Sequence, residues 1–280
     1  MLAYRHLFHA GNFADVFKHA LLARLLLALG RKDKAFAYLD THAGIGRYDL
    51  THPWAQKNAE WKAGIGRLWG RRDLPEVLAP YLDAVRAENP GGGLRFYPGS
   101  PRVARRLLRP IDRMVLTELN KADEEALGEM FRGERRVAVH LMDGYQALKA
   151  FLPPPERRGL VLVDSSFDRA GEFQRVMEAL AAAHRRWATG VLAFWYPLME
   201  PSVLRAFQRQ VADSGVRRIM RLELSIRPER WSTSLRGCGM LVVNPPFGFD
   251  AEARSILQWL HGVLAQEGQG GWRADWLVPE

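Results

Sequence analysis

The chain has 280 residues, 48% hydrophobic and 25% charged, with 40 Lys plus Arg against 31 Asp plus Glu and one cysteine. That apolar share is ample for a core and excludes wholesale disorder; a single cysteine excludes a disulfide framework and a four-cysteine zinc site. The net charge of +9 makes a polyanion a natural partner. No stretch reaches the roughly 18 uninterrupted apolar residues of a membrane helix, and the longest, Ala20 to Gly30, carries Arg24. Met-Leu-Ala-Tyr-Arg-His lacks the basic-then-apolar order of a signal peptide, so the expected setting is the cytoplasm, without a membrane partner.

In chain order, the first β-type run is Ala35 to Asp40, followed by Thr41-His42-Ala43-Gly44-Ile45-Gly46. About 70 residues then pass before the next run, too many for one crossover helix. Trp54, Trp61, Trp69, Leu74, Leu78, Tyr81, Leu82 and Val85 recur there at helical intervals, and Asn89-Pro-Gly-Gly-Gly closes the segment. Residues 50–92 therefore read as a helical insertion between two parts, 1–49 and 93–280, of one larger domain. Strand and helix alternate afterwards. Runs follow at Met114 to Thr117, Val137 to Met142, Gly159 to Val163, Val191 to Tyr196, Ile219 to Ile226 and Met240 to Val243, several of them near-continuously apolar, as strands buried on both faces are. Amphipathic stretches at Ser100 to Leu108, Ala122 to Phe131, Gly171 to Arg186, Glu200 to Asp213 and Asp250 to Ala265 supply the helices. The pattern predicts an α/β fold: a seven-stranded, mostly parallel, doubly wound sheet with ligands at the carboxyl ends of its strands.

Acids close several of those strands. Asp40 precedes a turn of small residues that lets a ligand approach the backbone; Glu118 is placed to accept both hydroxyls of a ribose; Asp143 can take an adenine amino group or a backbone donor. Helix capping is the competing role for such acids. There is no Gly-x-x-x-x-Gly-Lys-Ser/Thr run, and the first turn lacks a full Gly-x-Gly-x-x-Gly. An acidic first turn faces a pyrophosphate badly and a sulfonium well. S-adenosylmethionine suits it better than NAD.

Four strings carry a family resemblance. They are Tyr4-Arg5-His6-x-x-His9-Ala10-Gly11-Asn12-x-Ala14-Asp15-Val16-x-Lys18-His19, Leu39-Asp40-Thr41-His42-Ala43-Gly44-x-Gly46-Arg47-Tyr48, Tyr97-Pro98-Gly99-Ser100-Pro101 and Trp195-Tyr196-Pro197. The chain resembles the RlmJ family, bacterial 23S ribosomal RNA adenine-N6 methyltransferases, from Met1 to the terminal Trp276-Leu277-Val278-Pro279-Glu280. The resemblance implies a Rossmann-like class I methyltransferase with a small helical insertion and S-adenosyl-L-methionine as cofactor. It implies 23S rRNA as partner, protein-free or in an early assembly intermediate, adenine 2030 as the target, and a monomeric enzyme. Lys18, His19, His42 and Ser100 match positions at the methionine end of the cofactor, Glu118 the ribose acid, and Asp143 with Gly144 the adenine side. Asp164 matches the catalytic acid, also beside the cofactor; Phe167 matches the stacking aromatic, and Tyr4 and His6 a segment near the target base. No metal is implied.

The motif departs from the family at one place. Where the family has Asp-Pro-Pro-Tyr/Phe, this chain reads Asp164-Ser165-Ser166-Phe167. The acid and the next carbonyl accept the two N6 hydrogens of a flipped-out adenine, and the aromatic stacks on it. Every such group survives. The two serines give up the fixed φ of proline and offer competing local hydrogen bonds. Asn244-Pro245-Pro246-Phe247 has the intact pattern. It follows the seventh strand instead of the fourth, which makes it a rigid turn at a sheet edge.

Arg102, Arg105, Arg106 and Arg109 share a helix at spacings of three and four, and Arg135, Arg136, Arg157, Arg158, Arg185, Arg186, Arg217, Arg218 and Arg221 add charge. Together they predict an RNA-phosphate footprint. Three readings stay open: an rRNA adenine-N6 methyltransferase, a DNA adenine methyltransferase, and an RNA-binding assembly factor weakened by Ser165 and Ser166. If loop rigidity limits the rate, Ser165→Pro with Ser166→Pro raises turnover and leaves cofactor affinity unchanged. Single-turnover methylation measures this, and an equal or lower rate refutes the rigidity argument.

Overall fold

Short apolar runs pair into a sheet because each is buried on both faces and has no backbone partner within itself. The computed structural model describes residues 5–229 and 235–280. Helix α1 (Phe13–Gly30) precedes the strands β1 (Ala37–Asp40), β2 (Arg47–Asp49), β3 (Phe96–Pro98), β4 (Arg113–Glu118) and β5 (Val137–Leu141). They are followed by β6 (Gly159–Val163), β7 (Val191–Pro197), β8 (Ile219–Ser225), β9 (Gly237–Val243) and β10 (Gly271–Val278). Between β2 and β3 lie α2 (Pro53–Asn58), α3 (Gly66–Trp69) and α4 (Ala79–Ala87). The later helices are α5 (Ser100–Leu107), α6 (Lys121–Met130), α7 (Gly144–Phe151), α8 (Glu172–Arg186), α9 (Pro201–Ala212) and α10 (Phe249–Leu264).

Among the described residues the main sheet has eight strands in the order β10-β8-β9-β7-β6-β1-β4-β5, and β2 pairs with β3 separately. Strands β5, β4, β1, β6 and β7 are mutually parallel. Strand β9 runs antiparallel to both β7 and β8, and β10 antiparallel to β8. Chain order reverses at central β1, which opens a crevice at its carboxyl end. The expected seven strands are present; the eighth, β10, was not in the expectation. Its Gly-Trp-Arg-Ala-Asp-Trp-Leu-Val sequence lies at the sheet margin, where Trp272, Arg273 and Trp276 are exposed, so it lacks the continuous apolar run of a buried strand.

One face of the sheet packs Tyr38, Leu116 and Leu162 against Phe17, Leu21 and Leu25 of α1. The other packs Leu39, Val161 and Val163 against Val176 and Leu180 of α8 and Phe207 of α9. Alternate residues of one strand thus enter two cores. Helix α1 is apolar almost all round because α4, α5 and α10 enclose it away from the sheet. Arg24 is tolerated there because its Nε and Nη2 donate to Glu252 at 2.9 and 2.7 Å. Among the described residues no helix is long and apolar enough to cross a membrane.

Residues 53–87 bury Ile65, Leu68, Leu78, Tyr81, Leu82 and Val85 in the same core as α1. Gly64 permits the contact: a Cβ there would stand 2.2 Å from the Gly11 carbonyl oxygen, and the Ile65 N–H donates to that oxygen at 2.9 Å. Asn12 starts α1, accepting from the Ala14 and Asp15 N–H groups at 3.0 and 3.1 Å while its own amide donates to Glu60 at 3.0 Å. Asn12→Ala removes the cap and this link, and is expected to cost about 1–2 kcal/mol. A denaturant midpoint unchanged from wild type contradicts it.

Candidate active site

Strands ending side by side place their following residues in one row. Glu118 ends β4, Asp143 follows β5, the turn after Asp40 follows β1, and Asp164 follows β6. A cavity of about 900 Å³ opens over that row, large enough for a nucleoside cofactor and a second ring. Lys18, His19, His42, Ser100, Glu118, Asp143, Asp164, Phe167 and His6 all line it. Neighbouring strands lie about 4.8 Å apart, so the β4 and β6 acids, two strands apart, are about 10 Å from each other.

A chain of charges crosses the floor. Lys18 Nζ donates to Asp164 Oδ2 at 2.5 Å and lies 2.9 Å from Asp15 Oδ1. Asp15 Oδ2 accepts from the Gly11 N–H at 2.9 Å and is 3.0 Å from His6 Nε2. Burial alone would neutralise Lys18, yet the two carboxylates hold its pKa well above the usual lysine range. Burial opposes ionisation of Asp15 too, but His6 and Lys18 keep its pKa well below normal. Among the described residues Asp164 Oδ1 has no hydrogen-bond partner, so the acid keeps one oxygen free over the cavity.

The two histidines differ in their environments. Burial, with Lys18 alongside, drops the His19 pKa to about 3 and leaves a neutral ring; its Nδ1 is 2.8 Å from Tyr97 Oη, and among the described residues its Nε2 has no partner. Burial also lowers the His42 pKa, against the pull of Asp164 and Glu118, and its Nδ1 is 2.8 Å from Thr41 Oγ1. Glu118 accepts from the Gly44 N–H at 2.9 Å and the Asn120 N–H at 2.8 Å, which clamps the glycine turn onto β4. Asp143 Oδ1 caps α7 through Tyr145 and Gln146, while the residue still borders the cavity.

The loop after β6 carries the altered motif. Phe167 sits at φ 53°, a left-handed conformation unusual for an aromatic residue, and packs edge-on against Phe173 and Trp195 at 4.9 and 5.8 Å. Ser166 Oγ donates to Asp168, the local competing bond that serine permits and proline does not. Ser165 is buried facing the Tyr145 hydroxyl, which donates to Glu172 at 2.5 Å. Tyr145, Glu172 and Arg175 border the site but carry no pattern visible in the sequence; Trp195, which also borders it, opens the Trp195-Tyr196-Pro197 string, and Asp15 stands at i, i+3 from Lys18 on α1.

Several expectations need correction. Asp40 does not border the cavity: it is fully buried, takes the Tyr38 hydroxyl at 2.7 Å, and leaves Asp164 as the acid over the crevice. Gly144 is not among the residues that border the cavity, and a Cβ there would lie 2.3 Å from the Thr41 carbonyl oxygen, so only its backbone is available to a ligand. Tyr4 lies outside the described residues. The Asn244-Pro245-Pro246-Phe247 turn is no edge feature, since β9 is interior; being antiparallel, β9 delivers that turn to the opposite end of the sheet from Asp164. The arginine footprint is mostly structural. Arg102, Arg105 and Arg109 pair with Glu88, Glu134 and Asp112, Arg221 with Asp275 and Arg218 with Glu280. Arg136, Arg158 and Arg186 donate to backbone carbonyls, for which the five-donor guanidinium fork is suited.

The sheet order, with antiparallel β9 between β7 and β8, and the acids along its carboxyl edge define a Rossmann-like class I methyltransferase. The family model described as Ribosomal RNA large subunit methyltransferase D, RlmJ, matches residues 33–278. The chain is 41% identical over 280 residues to Ribosomal RNA large subunit methyltransferase J of Escherichia coli K12, and both chains are fully covered. It is 42% identical over 281 residues to the Haemophilus influenzae Rd protein of the same name, again with both fully covered. A crystal structure of a Legionella pneumophila protein superposes with a TM-score of 0.89 at 35% identity, covering 96% of this chain and 98% of that one. The chain belongs to the RlmJ family of ribosomal RNA large subunit methyltransferases.

Burial raises the Asp40 pKa to about 6, above an unfolded value of about 3.9. Folding therefore takes up a proton between those values, so the stability this contributes is full below about pH 4 and lost as pH rises through 6. Asp40→Asn keeps an acceptor for Tyr38 and removes that loss, which amounts to about 2–3 kcal/mol. The variant is expected to melt above wild type at pH 8, with the gap closing toward pH 4. A pH-independent gap contradicts the assignment.

Proposed function

We propose that the protein transfers a methyl group from S-adenosyl-L-methionine to N6 of a flipped-out adenine in 23S rRNA. The observation that carries this reading is Asp164, held by Lys18 through one oxygen and free at the other, beside Phe167 in the cavity that Glu118 and Asp143 border. The cavity fits the cofactor's chemistry. The partnerless Nε2 of buried His19 is a hydrogen-bonding atom awaiting a polar ligand group, and Lys18 suits a carboxylate. On this reading Lys18, His19, His42 and Ser100 bind the methionine end, Glu118 the ribose, and Asp143 with the backbone at Gly144 the adenine. The cofactor supplies an electrophilic methyl group.

Asp164 Oδ1 and the Ser165 carbonyl accept the two N6 hydrogens, which pulls the nitrogen lone pair out of conjugation and aims it at the methyl; transfer leaves the cofactor sulfur as a thioether, and Asp164 takes the proton that N6 then sheds. Phe167 stacks on the base, and Tyr4 and His6 belong to its binding residues. Residues 50–92 act as an insertion in a domain formed by 1–49 and 93–280. The enzyme works in the cytoplasm as a monomer, on protein-free 23S rRNA or an early assembly intermediate. The Ser166 bond to Asp168 and the left-handed Phe167 favour a second reading, a cofactor-binding RNA-binding protein with weakened turnover.

Incubation with labelled S-adenosylmethionine and unmodified 23S transcript decides between them. Label is expected in N6-methyladenine, reduced by at least about a hundredfold in Asp164→Ala. Cofactor and RNA binding without transfer supports the second reading; transfer equal in the variant refutes the role of Asp164.

A further inference from the structure

The cations and aromatics at the cavity mouth remain unaccounted for by transfer itself. Trp54 borders the cavity and is 44% exposed. One face of its indole stacks on Phe8, with centroids 5.3 Å apart and planes 15° from parallel. His52 caps α2, its Nδ1 accepting the Trp54 backbone N–H at 3.1 Å, and its ring meets the indole edge-on at 5.4 Å. The indole is therefore fixed in place while much of it faces solvent. An exposed tryptophan held this rigidly, at the entrance of a site for a base, suits a second base.

Charge supports the same ligand. Lys57 and Lys62 are exposed, with ammonium groups 5.7 Å from the Phe8 ring and 5.6 Å from the Trp61 ring. Neither is ion-paired among the described residues, whereas many arginines elsewhere on the surface are held by carboxylates or carbonyls. Arg169, which also borders the cavity, is exposed as well. Stacking surface next to unneutralised cations is the means by which proteins hold single-stranded nucleic acid.

We infer that Trp54, with Lys57 and Lys62, forms a stacking subsite for a nucleotide flanking the target adenine, binding its base on the indole and its phosphate on the lysines. This rests on the RNA-methylation reading above. It gives α2 a task that the catalytic row does not explain: holding the strand beside the flipped base so that the target enters the cavity in register.

Trp54→Leu separates stacking from structure, because leucine still packs on Phe8 but has no π face. The expected result on 23S transcript is a KM and RNA Kd raised about 5- to 100-fold, with S-adenosylmethionine affinity, melting temperature and kcat at saturating RNA near wild type. Trp54→Phe recovers most of the loss. In short RNAs carrying the target adenine, abasic substitution of one flanking nucleotide should weaken wild type and leave Trp54→Leu unchanged. Equal losses in both proteins at every flanking position overturn the subsite. So does a Trp54→Leu defect that appears in cofactor affinity or melting temperature, which assigns Trp54 to support of Phe8. Failure of wild type to methylate RNA at all, with the Trp54 effect on RNA Kd retained, overturns the methylation reading and spares the subsite.

Discussion

A lysine and an aspartate buried against each other govern this structure. Taking an ammonium and a carboxylate out of water costs several kcal/mol each unless both are matched. Lys18 and Asp15 are matched twice over: by each other one helical turn apart, and by Asp164 and His6 at the two ends. Helix α1 can lie in the centre of the core only in the rotation that satisfies all four groups. The same contacts bring the N-terminal segment, through His6, to the acid at the end of β6. Position of the helix and position of the site are one constraint.

The remaining architecture keeps that arrangement dry and in register. Residues 53–87 seal the far side of α1 and meet the N-terminal segment at Gly64, where only hydrogen fits. Glu118 ties the glycine turn to β4, and Thr41 Oγ1 donates to the Leu162 carbonyl at 3.0 Å, joining the β1 turn to β6. The edge over which a cofactor would lie is thus cross-linked strand to strand. Its least regular part is the Ser165-Ser166-Phe167 loop, where a serine hydroxyl bonds locally and an aromatic takes a left-handed backbone.

The sequence was a good guide where a physical effect was local. Runs such as Gly159–Val163, apolar at every position, could only be strands buried on both faces, and acids after them fell in a row because strand ends do. It was a poor guide where the decisive partner is remote. Arg109 looked like phosphate-binding charge, but its guanidinium meets Asp112 and the carbonyls of Gly30, Lys32 and Lys34. Burial depth is equally invisible: Asp40 read as an acid at the cofactor turn, but the core encloses it and the Tyr38 hydroxyl two residues away donates to it.

By itself the sequence determined seven strands of the main sheet, the family, and which side chains were available for chemistry, since these follow from periodicity and from the identity of residues along the chain; β10, α1 and α7 escaped it. Tertiary structure decided which of the acids keeps a free oxygen over the cavity, that β9 runs backward and carries its Pro-Pro turn away from the site, and that Trp54 stands at the entrance. Those outcomes depend on the direction of strands and on contacts between residues far apart in the chain. Burial and pairing are properties of the packed state, which decides even for near neighbours such as Arg109 and Asp112 what else their side chains meet.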